Sequence, residues 1–158
     1  MKLSITKKYL VKDLPNISNI NKDTYERYYL FISKSAVIRV QKINDAYELE
    51  RKVNQNDLIR EGNIMQITKE EFDILKEYAK QHIIRDSYLI QENPKIVIRI
   101  YHGDFEGLKR IEVNFKTLEE ANDSSPLIWF GKEITGTPLA QDGQLLQLTN
   151  EEFHSLLL

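Results

Sequence analysis

The ten residues from Lys2 to Val11, KLSITKKYLV, alternate in polarity with a period of two. Leu3, Ile5, Tyr9 and Val11 share one side with Lys7, while Ser4, Thr6 and Lys8 share the other, the pattern of a β-strand with one apolar and one polar face. Whether that polar face meets bulk water or an enclosed space decides the fold, because the same alternation returns along the chain.

Working outward, further strands are expected at 25–33, 36–42, 46–53 and 62–67, with Asn44 and Asp45 making a tight turn inside this antiparallel meander. The period then changes. In TKEEFDILKEYAKQHI, Thr68 and Glu71 form a capping box, and Phe72, Leu75, Tyr78, Ala79 and Ile83 fall on one helical face. Strands resume at 84–91, 95–101 and 108–115, and the capping-box pairs Thr117 with Glu120 and Thr149 with Glu152 start two short helices. His102 is expected in a loop, and Trp129 and Phe130 in packing or a plug.

Eight strands in 158 residues would leave long unpaired edges in an open sheet, so the expected fold is α+β: an eight-stranded antiparallel β-barrel with a few flanking helices, one domain over residues 1–158. The polar positions then form a set of their own: Lys8, Arg39, Gln41, Glu48, Glu50, Lys52, Arg60, Arg85, Ser87, Arg99, Arg110, Glu112 and Asn114. They suit either a solvated outer face or a charged lumen. The formal charge of −2 supplies no global attraction to nucleic acid or anionic membrane. With no cysteine and three scattered histidines, neither a disulfide framework nor a thiolate zinc site is available. No apolar run approaches a membrane span and MKLSITKK lacks the apolar core of a signal peptide, so a soluble, cytoplasmic protein is expected.

Four stretches, KKYLV, AVIRVQKINDAYELERK, IYHGDFEGLKRIEVNF and WFGKEITG, in that order and spacing, resemble the CYTH family, also called triphosphate tunnel metalloenzymes. The resemblance covers nearly the whole chain. It implies a barrel around a tunnel in which acidic side chains hold divalent metal and basic ones grip a triphosphate. Members include one class of bacterial adenylyl cyclases and thiamine, inorganic and RNA triphosphatases. The departures from the family pattern are as informative as the matches. Where the resemblance implies two glutamates and a lysine on the first strand, this chain has Ser4, Thr6 and Lys8. Arg39, Lys52 and Arg60 match family cations, whereas Gln41 replaces an arginine and Gly62, Ile64 and Gln66 replace an alternating glutamate run. Arg99 stands at a family aspartate, Glu112 keeps the first of two glutamates and Asn114 replaces the second.

The lumen is therefore expected to hold Lys8, Arg39, Lys52, Arg60, Arg85, Arg99 and Arg110 against Glu48, Glu50 and Glu112. Neutral Ser, Thr, Asn and Gln oxygens bind magnesium or manganese poorly compared with carboxylates, while arginine forks suit phosphate oxygens. The first expectation is a divergent family member that binds a triphosphate, polyphosphate or nucleotide with hydrolysis weak or lost. It needs no metal, and any Mg2+ or Mn2+ is weakly held. The second is an active metal-dependent triphosphatase, with adenylyl cyclase activity as a lesser form, that uses Glu48, Glu50 and Glu112 in a rearranged site. The third is a scaffold that has kept the barrel for partner binding. Local basic charge without interleaved aromatics speaks against nucleic acid as the partner.

Overall fold

Residues 2–158 are described in a computed structural model. Nine strands and four helices follow one another as β1 (Lys2–Val11), β2 (Lys22–Ile32), β3 (Ala36–Ile43), β4 (Ala46–Asn54), β5 (Ile59–Gln66), α1 (Lys69–Lys76), β6 (Gln81–Glu92), β7 (Lys95–Tyr101), β8 (Lys109–Phe115), α2 (Leu118–Asp123), β9 (Phe130–Glu133), α3 (Asp142–Leu145) and α4 (Asn150–Leu156). The first eight strands close a barrel in the order β5-β4-β3-β2-β6-β7-β8-β1, and β1 returns to β5 through Ser4 opposite Arg60. All pairs are antiparallel: β2–β5 and β6–β8 are meanders joined by short turns, while β2–β6, β1–β8 and β1–β5 join strands distant in sequence. Closure leaves no sheet edge among the eight strands. One edge of β1 is shared: its first residues pair with β5, and Tyr9 and Val11 pair with Glu133 and Phe130 of β9.

Because β1 alternates, Ser4, Thr6 and Lys8 turn inward together while Tyr9 turns outward. Tyr9 is buried there with Ile96, Ile98, Ile111, Val113 and Phe130, and Val11, Ile17 and Trp129 pack against this outer cluster. The Trp129 and Phe130 rings meet edge to face with centroids 4.7 Å apart, and Tyr9 tilts against Phe130 at 4.9 Å. A second core cluster joins Tyr29, Val37, Ile83 and Tyr101 to Leu139, Ala140, Leu145 and Phe153. Those four barrel residues lie two positions from Arg27, Arg39, Arg85 and Arg99 and share their inward face. The lumen is thus charged in its middle and apolar at one end, where the segment from Ile134 to Phe153 packs into it.

On the outside of β2–β4, α1 begins at the capping box of Thr68 and Glu71 and buries Phe72 between Tyr28 and Tyr47, with ring centroids 5.7 and 5.1 Å away. The helical spacing to Ile83 does not persist in the structure: α1 stops at Lys76, Tyr78 is exposed, and Ile83 is buried within β6. The ladder of β6 against β2, with Gln81, His82 and Ile83 opposite Tyr29, Tyr28 and Arg27, takes those residues instead. The cap at Thr117 is one-sided, since Glu120 Oε2 accepts from the backbone of Lys116. Strand β9 and helix α3 arise in stretches for which the sequence suggested packing or no element.

Candidate functional site

The inward polar residues enclose a cavity of about 290 Å³. Lys8, Arg39, Lys52, Arg60, Arg85, Arg99 and Arg110 all line it, joined by Arg27 of β2 and Lys95 of β7. Against these nine cations its lining holds three carboxylates, Asp57, Glu112 and Asp142. Each strand delivers its cation by parity, so Arg39 faces Glu50 across β3 and β4, and Lys8 faces Glu112 across β1 and β8. Arg39, Arg85 and Arg110 are among the most deeply buried side chains of the protein. Charge at that depth must be paired or solvated.

On one side the pairing is thorough. Arg99 and Arg110 stand directly opposite each other on β7 and β8, a repulsive register that Glu112 bridges. Its Oε2 accepts from Arg99 Nε at 2.9 Å and from the Arg110 amino group at 2.9 Å. Burial alone would raise the Glu112 pKa, but Arg99, Arg110, Lys8 and Arg85 together hold it well below the usual carboxylate range. Asp142 is held low in the same way, against its own burial, by Arg85, Arg110 and Arg27, with ion-pair distances of 2.9, 3.2 and 3.1 Å. The Tyr101 hydroxyl also donates to it, and burial raises the phenol above its ordinary pKa. Lys8 is pushed well below the usual lysine value, first by burial, and its Nζ donates to the Ala140 carbonyl.

On the side of β2–β5 the cations outnumber their partners. Arg39 is ion-paired to Glu50, whose pKa falls to about 2 because Arg39, Lys52 and Arg27 outweigh its desolvation. Among the described residues no carboxylate oxygen lies within 4.0 Å of the Lys52 or Arg60 nitrogens. Burial and the neighbouring Arg39, Arg60 and Arg27 bring Lys52 down to about 7, with Glu50 opposing. Arg27 and Arg60 are pushed down to about 10, chiefly by burial, and so remain charged at neutral pH. The Nε–H groups of Arg27, Arg39 and Arg85 are buried without any hydrogen-bond acceptor. Buried unpaired donors are rare in folded proteins, and each costs about 1–3 kcal/mol.

Arg27, Lys95, Asp142 and three tyrosines are not marked as lumen residues by the sequence pattern. Arg27, Arg85 and Arg99 surround the Tyr25 ring, with guanidinium carbons 5.2, 5.1 and 5.3 Å from its centre, and Tyr29 and Tyr101 take similar places under Arg39 and Arg110. In YERYYLF apolar rings occupy both faces, so polarity alone does not separate inside from outside. Strict period-two counting from Tyr25 would have placed Arg27 in the lumen. Asp142 offered no such signal.

The three glutamates proposed as metal ligands do not converge. Glu112 lines the cavity, Glu50 lies behind Arg39, and half-buried Glu48 accepts from Gln41 Nε2 at 2.8 Å outside the cavity lining. Among the described residues no group of three or more His, Asp or Glu side chains is arranged to hold a metal ion. The Glu112 and Glu50 oxygens already accept from guanidinium groups, so this donor set does not fit a divalent cation.

A closed antiparallel barrel of eight strands with a cation-lined lumen is the CYTH, or triphosphate tunnel, fold, and this chain has it. Among solved structures it is similar to the inorganic triphosphatase NE1496, at 20% identity and a TM-score of 0.68 over 94% of this chain and 97% of that one. It is also similar to the PH1012 protein of Pyrococcus horikoshii, at 13% identity and a TM-score of 0.58 over 94% and 93% of the two chains. Likeness at these identities is likeness of fold. No protein-family model matches the chain, and no curated protein matches it in sequence.

Proposed function

We propose that the lumen binds a compact polyanion of the triphosphate class through its cations, without a resident metal ion and with hydrolysis weak or lost. The observation that carries this reading is the excess of nine cations over three carboxylates in the cavity lining, with Lys52 and Arg60 left without a carboxylate partner among the described residues. An anion with several oxygens would neutralise Lys52 and Arg60 at once. The inorganic triphosphatase among the fold's neighbours supports phosphate chemistry as the ligand class. A cavity of about 290 Å³ is of the size of a compact inorganic polyphosphate.

The competing reading, a metal-dependent triphosphatase built on Glu48, Glu50 and Glu112, requires those carboxylates to leave their present partners. A single experiment separates the two. In calorimetry with tripolyphosphate, the affinity is expected to survive EDTA, and phosphate release with manganese is expected to stay near background. Binding that vanishes with chelator, or robust manganese-dependent release, would establish the metal enzyme instead.

A further inference from the structure

The apolar end of the lumen does not finish on apolar atoms. The segment that packs into it, with Leu139, Ala140 and Leu145 buried against Tyr29, Val37, Ile83 and Tyr101, carries the carboxylate of Asp142 at its tip. The fit is close: a Cβ on Gly143 would stand 2.8 Å from Val37 Cγ1, so the residue following Asp142 has room for a hydrogen only. From there Asp142 collects the amino groups of Arg27, Arg85 and Arg110, from three different strands, and the Tyr101 hydroxyl. Several arginine nitrogens and a hydroxyl around one pair of anionic oxygens is how a phosphoryl group would be held. Even so, Arg27 and Arg85 keep unsatisfied Nε–H groups, so this carboxylate does not exhaust the donors around it.

We propose that Asp142 is a specificity-determining residue, a built-in anion that fills the innermost anion position of the lumen and sets how many phosphoryl groups of a linear polyphosphate the protein can hold. This rests on the polyanion reading above. A bound chain must stop short of the carboxylate, because like charges in a poorly solvated space repel. Its outer phosphoryl groups then meet Lys52, Arg60 and Arg39, while the inner arginines are served by Asp142.

The test is a chain-length series: orthophosphate, pyrophosphate, tripolyphosphate and tetrapolyphosphate titrated calorimetrically into the native protein, Asp142→Asn and Asp142→Ala. In the native protein affinity should rise along the series and then level off. In either variant it should continue to rise for one further phosphoryl group, by about tenfold or more, the scale of one charged hydrogen bond. Because the substitutions leave three arginines short of a partner, melting temperatures are measured in parallel. Tripolyphosphate should raise that of Asp142→Asn more than that of the native protein, which a purely structural carboxylate would not produce. Asp142→Glu, whose longer side chain reaches further into the lumen, should move the plateau to a shorter chain. A native protein that binds the series, with variants that level off at the same length, overturns the end-stop alone. If none of the proteins binds any member of the series, the polyanion reading fails and the end-stop falls with it.

Discussion

The two walls of the lumen solve the problem of buried positive charge differently. On the wall of β6, β7 and β8, Arg85, Arg99 and Arg110 each have a carboxylate oxygen 2.9 Å away, and two carboxylates serve all three. On the wall of β2–β5, Glu50 serves Arg39, while Lys52 and Arg60 have no carboxylate within ion-pair distance among the described residues. On the first wall every cation has a carboxylate, although Arg85 keeps an unpaired Nε–H, and removal of that pairing should unfold the barrel. On the second wall the pairing is incomplete, and the proposed polyanion would complete it. Natural proteins leave buried polar groups unsatisfied mainly where function requires it.

The largest effect expected from this contrast is on stability. Glu112→Gln keeps the shape of the side chain but leaves Arg99 without a carboxylate and Arg110 with Asp142 alone. Breaking a buried pair in this way costs about 3–5 kcal/mol. Lys52→Met, on the other wall, removes a charge that has no ion-pair partner, and its free energy of unfolding should stay within about 1 kcal/mol of native or rise. Denaturant unfolding of both variants measures this. Equal losses would mean that the walls do not differ.

Binding should show the reverse order. Arg39→Ala removes donors from the unfinished wall and exposes Glu50 to the ligand, so affinity for tripolyphosphate should fall by about 1.5–3 kcal/mol. Arg99→Ala removes a group whose Nε and amino nitrogens already serve Glu112 and Ser87, and should weaken binding by less than about 1 kcal/mol. Calorimetry on the pair checks it, and an equal loss for both would place the ligand centrally between the walls.

How legible these walls were in the sequence depended on whether a strand was two-faced. In VIRVQKI and KRIEVNF, charged and apolar residues alternate, and counting by two placed Arg39, Gln41, Arg110 and Glu112 on the face they occupy. The inward face of β2 reads Tyr25, Arg27, Tyr29 beside outward Tyr28, so its residues differ too little in polarity to mark a side. The stretch LAQDGQLL has no usable period, because α3 spans four residues and takes its place from packing against Val37 and Tyr101 rather than from its own amphipathicity. The carboxylate that closes the lumen was therefore out of reach of local pattern. The end of α1 is hidden for a related reason: helical spacing continues past Lys76, but pairing with β2 claims residues from Gln81 onward.

The smallest effect expected is also the most specific to the unfinished wall, and it concerns pH. Lys52, held down to about 7 by burial and by Arg39, Arg60 and Arg27, takes up its proton more readily in the unfolded chain, whose lysine has its ordinary value near 10.5. Between these values the unfolded state binds more protons, so stability should rise with pH over that window. Anion binding should move the other way. An anion beside Lys52 favours the ammonium, so binding takes up a proton above pH 7 and affinity falls as pH rises, by at most tenfold per unit for each such group. Lys8, also depressed by burial, contributes in the same sense. Sulfate is the suitable probe, since it does not itself titrate in this range. Lys52→Met should lessen both slopes, leaving the share due to Lys8. Stability and sulfate affinity that change in the same direction above pH 7, or slopes untouched by the substitution, would show that Lys52 does not face the bound anion.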